Sequence, residues 1–225
     1  ISDTVKIEPW DNYTLLAVQG PDAPKLLEAK FPEIKNLYYY EVAFRGEDTF
    51  IARMGYTGED GFEIACPQAE GIALWKELIA AGAKPCGLAA RDVLRLEALM
   101  PLYGHELSST LRPQESGLGF LYSDHTSIAP AALRNQATAQ NSFGFQMQGE
   151  GIPRQGYKVV RESGEVVGEV TSGTFSFTQN CGMGFMRIDI AQKDKALFVE
   201  IRGEKKPIAV LEKTPIKGSV RRRPK

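Results

Sequence analysis

The sequence predicts an α+β region followed by a small all-β domain, and three observations carry that expectation. From Tyr13 to Leu99, apolar runs of strand length alternate with segments of helical period. After Ser142 the pattern changes to short strands separated by turns. With 225 residues, the chain has room for one large domain or two smaller ones around a real core.

Taken in order, Tyr13 to Val18 reads as an apolar strand, punctuated by Gly20-Pro21. Its Leu15, Leu16 and Val18 need a covering partner. A short helix follows over Pro24 to Phe31, with Leu26, Leu27, Lys30 and Phe31 at helical spacing. Leu37 to Phe44 and Asp48 to Met54 read as strands around the turn Arg45-Gly46-Glu47. Gln68 to Ala81 reads as an amphipathic helix whose stripe is Ile72, Trp75, Leu78 and Ile79, stopped by Gly82. A second helix runs from Leu88 to Leu99 and ends before Pro101.

Asp124 to Asn141 is polar and Ala-rich, with one short helix expected near Pro130 to Gln136. Six strands follow: Phe143 to Met147, Tyr157 to Arg161, Glu165 to Thr171, Gly182 to Ile188, Ala196 to Ile201 and Lys206 to Leu211. At this spacing they form a small barrel or a sandwich.

Hydrophobic residues make up 43% and charged residues 24%, both ordinary for a globular protein. A formal net charge of -1 gives no electrostatic case for nucleic acid or an anionic membrane. Only the end, with Arg221, Arg222, Arg223 and Lys225, is markedly basic, which suits a solvated terminus or a clamp for an anion. The three cysteines, Cys66, Cys86 and Cys181, lack metal-type spacing and read as inert packed thiols of a reducing compartment. No stretch is long and apolar enough to span a membrane.

Two blocks point to a binding site. Gly55 to Glu63 reads as a strand, a tight turn and a second strand, with Gly58 and Gly61 bracketing Glu59-Asp60. In the second strand Phe62 and Ile64 face one side and Glu63 the other. Glu59 and Asp60 read as turn residues. In the helix of Gly87 to Glu97, Arg91 and Arg95 stand four apart on one face, a repulsive pair unless an acid or an anionic ligand lies against them. Together the blocks offer a carboxylate and a guanidinium for a polar ligand.

Five motifs in this order, GYTGEDGFE, GLAARDVLRLEA, PLYGHEL, GIPRQGY and GEVTSGTFS, resemble the T-protein of the glycine cleavage system. The similarity runs from about Val5 to about Pro215. It implies a tetrahydrofolate-dependent aminomethyltransferase, which moves a methylene unit from the aminomethyl-lipoyl arm of H-protein to tetrahydrofolate and releases ammonia. It implies a cytoplasmic protein, or a mitochondrial matrix protein in a eukaryote.

The resemblance also implies the architecture. Residues 1–38 are expected to be a remnant of a ferredoxin-like lobe, 39–128 a central folate-binding α+β lobe, 129–141 a linker and 142–225 a C-terminal six-stranded antiparallel β-barrel. Family members carry a further N-terminal segment holding the catalytic aspartate. No catalytic residue is therefore expected in this chain, and the chain alone is expected to be inactive.

For folate binding the resemblance assigns Glu63 to the pterin edge, where a carboxylate accepts from neighbouring N–H donors. Arg91 lines the same cavity, Tyr56 packs on the ligand, and Phe120 stands where relatives have an aromatic ring that stacks on folate. Two departures stand out. Relatives often have a basic residue where Gln140-Asn141-Ser142 stands, and the end reads Pro215-Ile216-Lys217. Anchoring of the folate tail then falls to Arg221 or Arg222.

His105 reads as structural, having neither nucleophile nor metal partner in sequence. Two alternatives remain open. One is a folate-binding homologue in iron–sulfur assembly, whose Lys-Gly-Cys-aromatic-x-Gly-Gln-Glu signature is absent here. The other is a demethylase-type domain like those of dimethylglycine dehydrogenases.

Overall fold

The computed structural model describes residues 5–121 and 137–224. The helix expected near Pro130 to Gln136 and His125 lie outside the described residues. By its internal contacts the chain falls into two units, Ile1–Gly87 with Gly218–Lys225, and Leu88–Lys217.

The first unit is an open sheet with helices on one face. Its elements are β1 (Tyr13–Gln19), α1 (Ala23–Leu27), β2 (Val42–Arg45), β3 (Thr49–Ala52), β4 (Gly61–Pro67) and α2 (Gln68–Ala80). The sheet order is β1-β4-β3-β2, antiparallel throughout. Strand β1 pairs with β4 along its whole length, from Tyr13 opposite Pro67 to Gln19 opposite Gly61. Alternation sends Val18, Phe62, Ile64, Cys66 and Ile51 to one face, where they pack with Leu27, Phe31, Leu74 and Leu78. Leu16 and Val18 thus find their cover within this unit, whereas Leu15 stays 63% exposed on the other face.

Two expectations need correction here. Leu37 to Glu41 is not strand. Tyr40 takes a left-handed backbone (φ +71°), which no ladder can continue, and its N–H donates to Arg53 O at 2.9 Å. The buried face of α2 is also not the predicted stripe. Gly71, Leu74 and Leu78 are buried, while Ile72, Trp75 and Ile79 are exposed. The cause is Gly71: a Cβ there would lie 2.7 Å from Thr14 Cβ. The helix approaches β1 through its glycine and turns its bulkier apolar residues outward.

In the second unit, α3 (Leu88–Glu97) precedes a closed six-stranded barrel. The strands are β5 (Gln140–Met147), β6 (Lys158–Val160), β7 (Val166–Ser176), β8 (Cys181–Asp189), β9 (Leu197–Ile201) and β10 (Glu204–Leu211), in the cyclic order β10-β5-β8-β7-β6-β9. Closure decides between barrel and sandwich and leaves no free edge. Phe145, Val159, Val170, Met186, Ile188 and Val199 fill the interior, all wholly buried.

Polar side chains join α3 to β7. Arg95, only 2% exposed, donates from Nε to Asp92 Oδ1 (2.8 Å), from Nη1 to Glu106 Oε2 (3.1 Å) and from Nη2 to Ser172 Oγ (2.9 Å). Glu106 also accepts from Thr171 Oγ1 (2.6 Å) and Leu102 N (3.0 Å). Glu97 accepts from Ser176 Oγ (2.6 Å) and Thr178 Oγ1 (3.1 Å). The hydroxyls of the Thr171 to Ser176 run thus satisfy buried carboxylates, which would otherwise be costly.

Candidate functional site

In the first unit, Glu63 stands on the sheet face opposite the one that α1 and α2 cover. Phe62 and Ile64 beside it are wholly buried on the opposite face, so strand alternation alone sends the carboxylate outward. Its cross-strand neighbours are Ala17 on β1 and Ala52 on β3. Directly opposed residues share a face. Its two ladder neighbours are thus alanine methyl groups, which carry no charge or hydrogen-bonding group. Farther along, the same face carries Leu15 and Phe44, 63% and 75% exposed.

The loop 53–60 leads into β4. It is not the tight hairpin expected from Gly58 and Gly61. Arg53 turns inward and meets Asp60, with Nε to Oδ1 at 2.9 Å and Nη2 to Oδ2 as the second contact. Arg53 and Asp60 are 4% and 6% exposed, so Asp60 is a buried ion-pair partner rather than a turn residue. A further Arg53 N–H reaches Leu37 O at 2.8 Å. Gly61 is required by close approach, because a Cβ there would lie 2.6 Å from Val18 O. Gln19 holds the other side: its Nε2 donates to Met54 O (3.1 Å), and Thr57 Oγ1 donates to its Oε1 (3.1 Å). Tyr56, carried by this loop, is half-buried.

The basic end of the chain docks on the same unit. Ser219 Oγ accepts from Asp60 N at 2.9 Å, and Arg221 O accepts from Tyr39 N at 2.9 Å. Arg221 donates to Lys35 O (2.6 Å) and lies over the Tyr38 ring at 4.8 Å. It ties down the 35–39 segment by these contacts, and Arg223 does the same through Glu41 at 3.1 Å. The Tyr38 N–H and then Arg223 hold the Glu41 carboxyl below its ordinary range. Tyr39 is pushed up to about 12, first by burial and then by Tyr40, with Glu63 adding to the rise and Arg222 opposing it. Tyr39, Glu63 and Arg222 therefore share one electrostatic neighbourhood.

The second unit holds the other two expected site residues. Arg91 is exposed on α3, whereas Arg95, four residues on, is buried against Glu106. The two arginines do not act as a pair, and Asp92 belongs to Arg95. Phe120 lies in the short 3₁₀ turn Gly119–Leu121 and is 77% exposed, so it is not a core ring. His105 Nδ1 lies 2.9 Å from Thr171 O and 3.2 Å from Ser172 Oγ, a structural place. Asn141 Oδ1 accepts from Gly117 N at 2.8 Å.

Of the cysteines, Cys66 is buried, Cys181 partly so and Cys86 exposed, so the last is not the packed thiol expected. Among the described residues no cluster of His, Cys, Asp or Glu could hold a metal ion, and no helix is long and apolar enough to cross a membrane. Sequence reasoning missed Arg53, Tyr39 and Ser219. A basic residue just before Gly55 and an acid just before Gly61 were the only local signal for the buried pair.

Residues 1–124 match the GCVT N-terminal domain, and residues 141–217 match the glycine cleavage T-protein C-terminal barrel domain. The chain belongs to the glycine cleavage T-protein family. Its relatives include proteins named aminomethyltransferase from Synechococcus sp. (strain RCC307), 41% identical over 88% of this chain and 58% of theirs. Another, from Methylococcus capsulatus (strain ATCC 33009 / NCIMB 11132 / Bath), is 41% identical over 93% of this chain and 59% of its own.

The crystal structure of glycine cleavage system aminomethyltransferase T from Bartonella henselae superposes with a TM-score of 0.82 at 28% identity, covering 93% of this chain and 61% of that one. The chain thus spans about three-fifths of the length of these T-protein relatives. The barrel described above coincides with the family's C-terminal barrel domain.

Proposed function

We propose that this chain is the folate-recognising part of a tetrahydrofolate-dependent aminomethyltransferase of the glycine cleavage system. The observation that carries the reading is Glu63, which stands partly exposed on the sheet face opposite α1 and α2, with Ala17 and Ala52 as its ladder neighbours, within a family motif. An ionised carboxylate so placed accepts two N–H bonds from an amino-pyrimidinone edge, a pairing stronger than neutral hydrogen bonds.

Arg91, exposed on α3, supplies a guanidinium to the ligand's carbonyl or carboxylate oxygens. Tyr56 and Phe120 offer aromatic faces, and the 77% exposure of Phe120 suits a ring that awaits a partner. Arg221 is engaged with Lys35 and Tyr38. In this reading it holds the segment bearing Tyr39, and Arg222 is the better candidate for the anionic tail of folate.

Tetrahydrofolate, when bound, supplies the amines that accept the one-carbon unit. The donor is the aminomethyl-lipoyl arm of H-protein, and ammonia leaves. Proton handling rests with a family aspartate that no motif of this chain carries. The three-lobe division at residues 38, 128 and 141, and a cytoplasmic location, belong to the same proposal. The test is ammonia release from aminomethylated H-protein, with and without tetrahydrofolate, by a protein of the relatives' full length. Folate-stimulated release is expected, and its absence overturns the reading.

A further inference from the structure

The helix-covered face of the first unit's sheet, opposite to Glu63, contains a cavity of about 290 Å³. It lies where α2, the β2–β3 turn and the residues after α1 meet. Phe31, Leu74 and Cys66 form an apolar floor and are 4%, 3% and 2% exposed. Arg45, Thr49 and Glu70 supply its polar groups.

These polar groups are incompletely used. Arg45 spends Nη1 on Lys30 O (2.7 Å) and lies over the Phe31 ring at 5.2 Å, which leaves another edge of its guanidinium for an acceptor. Lys30 itself is ion-paired with Glu77 at 2.5 Å. Among the described residues, Glu70 has no ion pair and the Thr49 hydroxyl no hydrogen bond. A spare cationic edge and a spare carboxylate therefore face one small cavity with an apolar floor. The volume stands at the lower end for ligand pockets, which limits the occupant to a small molecule.

We propose that this cavity binds an apolar α-amino acid, its carboxylate on Arg45 and Thr49, its ammonium on Glu70 and its side chain on Phe31, Leu74 and Cys66. A simple carboxylate would leave Glu70 repelling it across the cavity, and a simple amine would meet Arg45 in the same way. Only a ligand carrying both charges satisfies both ends. The thiol on the floor lies in the field of Glu70: burial pushes the Cys66 thiol up, Glu70 adds to the rise and Lys30 opposes it.

The test is ligand-observed NMR titration of the whole chain with L-leucine, isovalerate and isopentylamine. The last two lack the ammonium and the carboxylate respectively. Leucine is expected to bind at least about tenfold more tightly than either, a difference of about 1.4 kcal/mol. Glu70→Gln should remove that advantage over isovalerate, and Arg45→Gln the advantage over isopentylamine. Both positions are exposed, so neither change threatens folding. No binding of leucine, equal binding of all three, or variants that bind like wild type would each overturn the proposal. Glu63 lies on the opposite face, so tetrahydrofolate binding reports independently of this result.

Discussion

Arg53 and Asp60 form a bidentate ion pair that is almost wholly withdrawn from solvent and closes the loop carrying Tyr56. The same guanidinium reaches Leu37 O and lies 5.1 Å over the Phe62 ring. One side chain thus fixes the end of β3, the start of β4 and the approach to Tyr39. Breaking such a pair by removing one partner strands the other charge, at a cost of about 3–5 kcal/mol. Arg53→Met should lower the unfolding free energy obtained from urea denaturation by that much, and the Arg53→Met/Asp60→Leu double variant should recover part of the loss. Single variants as stable as wild type would show that the pair is incidental.

Gly71 decides how α2 lies on β1. Gly71→Ala gains about 1 kcal/mol of helix propensity but forces a Cβ to within 2.7 Å of Thr14, and overpacking costs about 1–3 kcal/mol. The second effect should win or nearly cancel the first. A clear rise in melting temperature would contradict this packing.

Tyr39 gives a pH test whose sign is fixed. Its folded value near 12 lies above the ordinary 10, so the folded state holds the phenolic proton more tightly than the unfolded state. The stability it contributes is complete below pH 10 and is lost as pH rises through 12. Ultraviolet titration of tyrosinate in wild type and Tyr39→Phe should show the latest-ionising phenol disappear from the variant. Superimposable high-pH limbs would contradict the burial of Tyr39.

Arg91→Leu tests whether that guanidinium serves a ligand or the fold. It is exposed on α3, while Arg95 makes the buried contacts to Glu106 and Ser172. Arg91→Leu should weaken tetrahydrofolate binding by about 1.5–3 kcal/mol, as expected for a hydrogen bond to a charged group, with the melting temperature unchanged. Lost stability with unchanged affinity would make Arg91 a structural residue.

The barrel strands, β4 with Glu63 outward, and both longer helices were legible in the sequence, because periods of 2 and 3.6 residues survive in local pattern. What local pattern could not show was pairing. Arg95 and Arg91 look alike four residues apart, and only the fold reveals Glu106 and Ser172 beside one of them. The buried face of α2 was misjudged because a glycine, invisible to hydrophobic counting, sets the closest approach. Tyr40 ended a predicted strand through a backbone angle that its side chain does not announce. The docking of Ser219 and Arg221 joins residues more than 150 positions apart, beyond any local signal.

Calorimetric titration with tetrahydrofolate, comparing wild type with Glu63→Gln in a protein of the relatives' full length, tests the central claim most directly. The substitution keeps size and burial but replaces one acceptor of the carboxylate with a donor. Affinity is expected to fall by about 1.5–3 kcal/mol, with the melting temperature of the ligand-free protein unchanged. Equal affinities in the two proteins would contradict the assignment of Glu63 to the pterin edge.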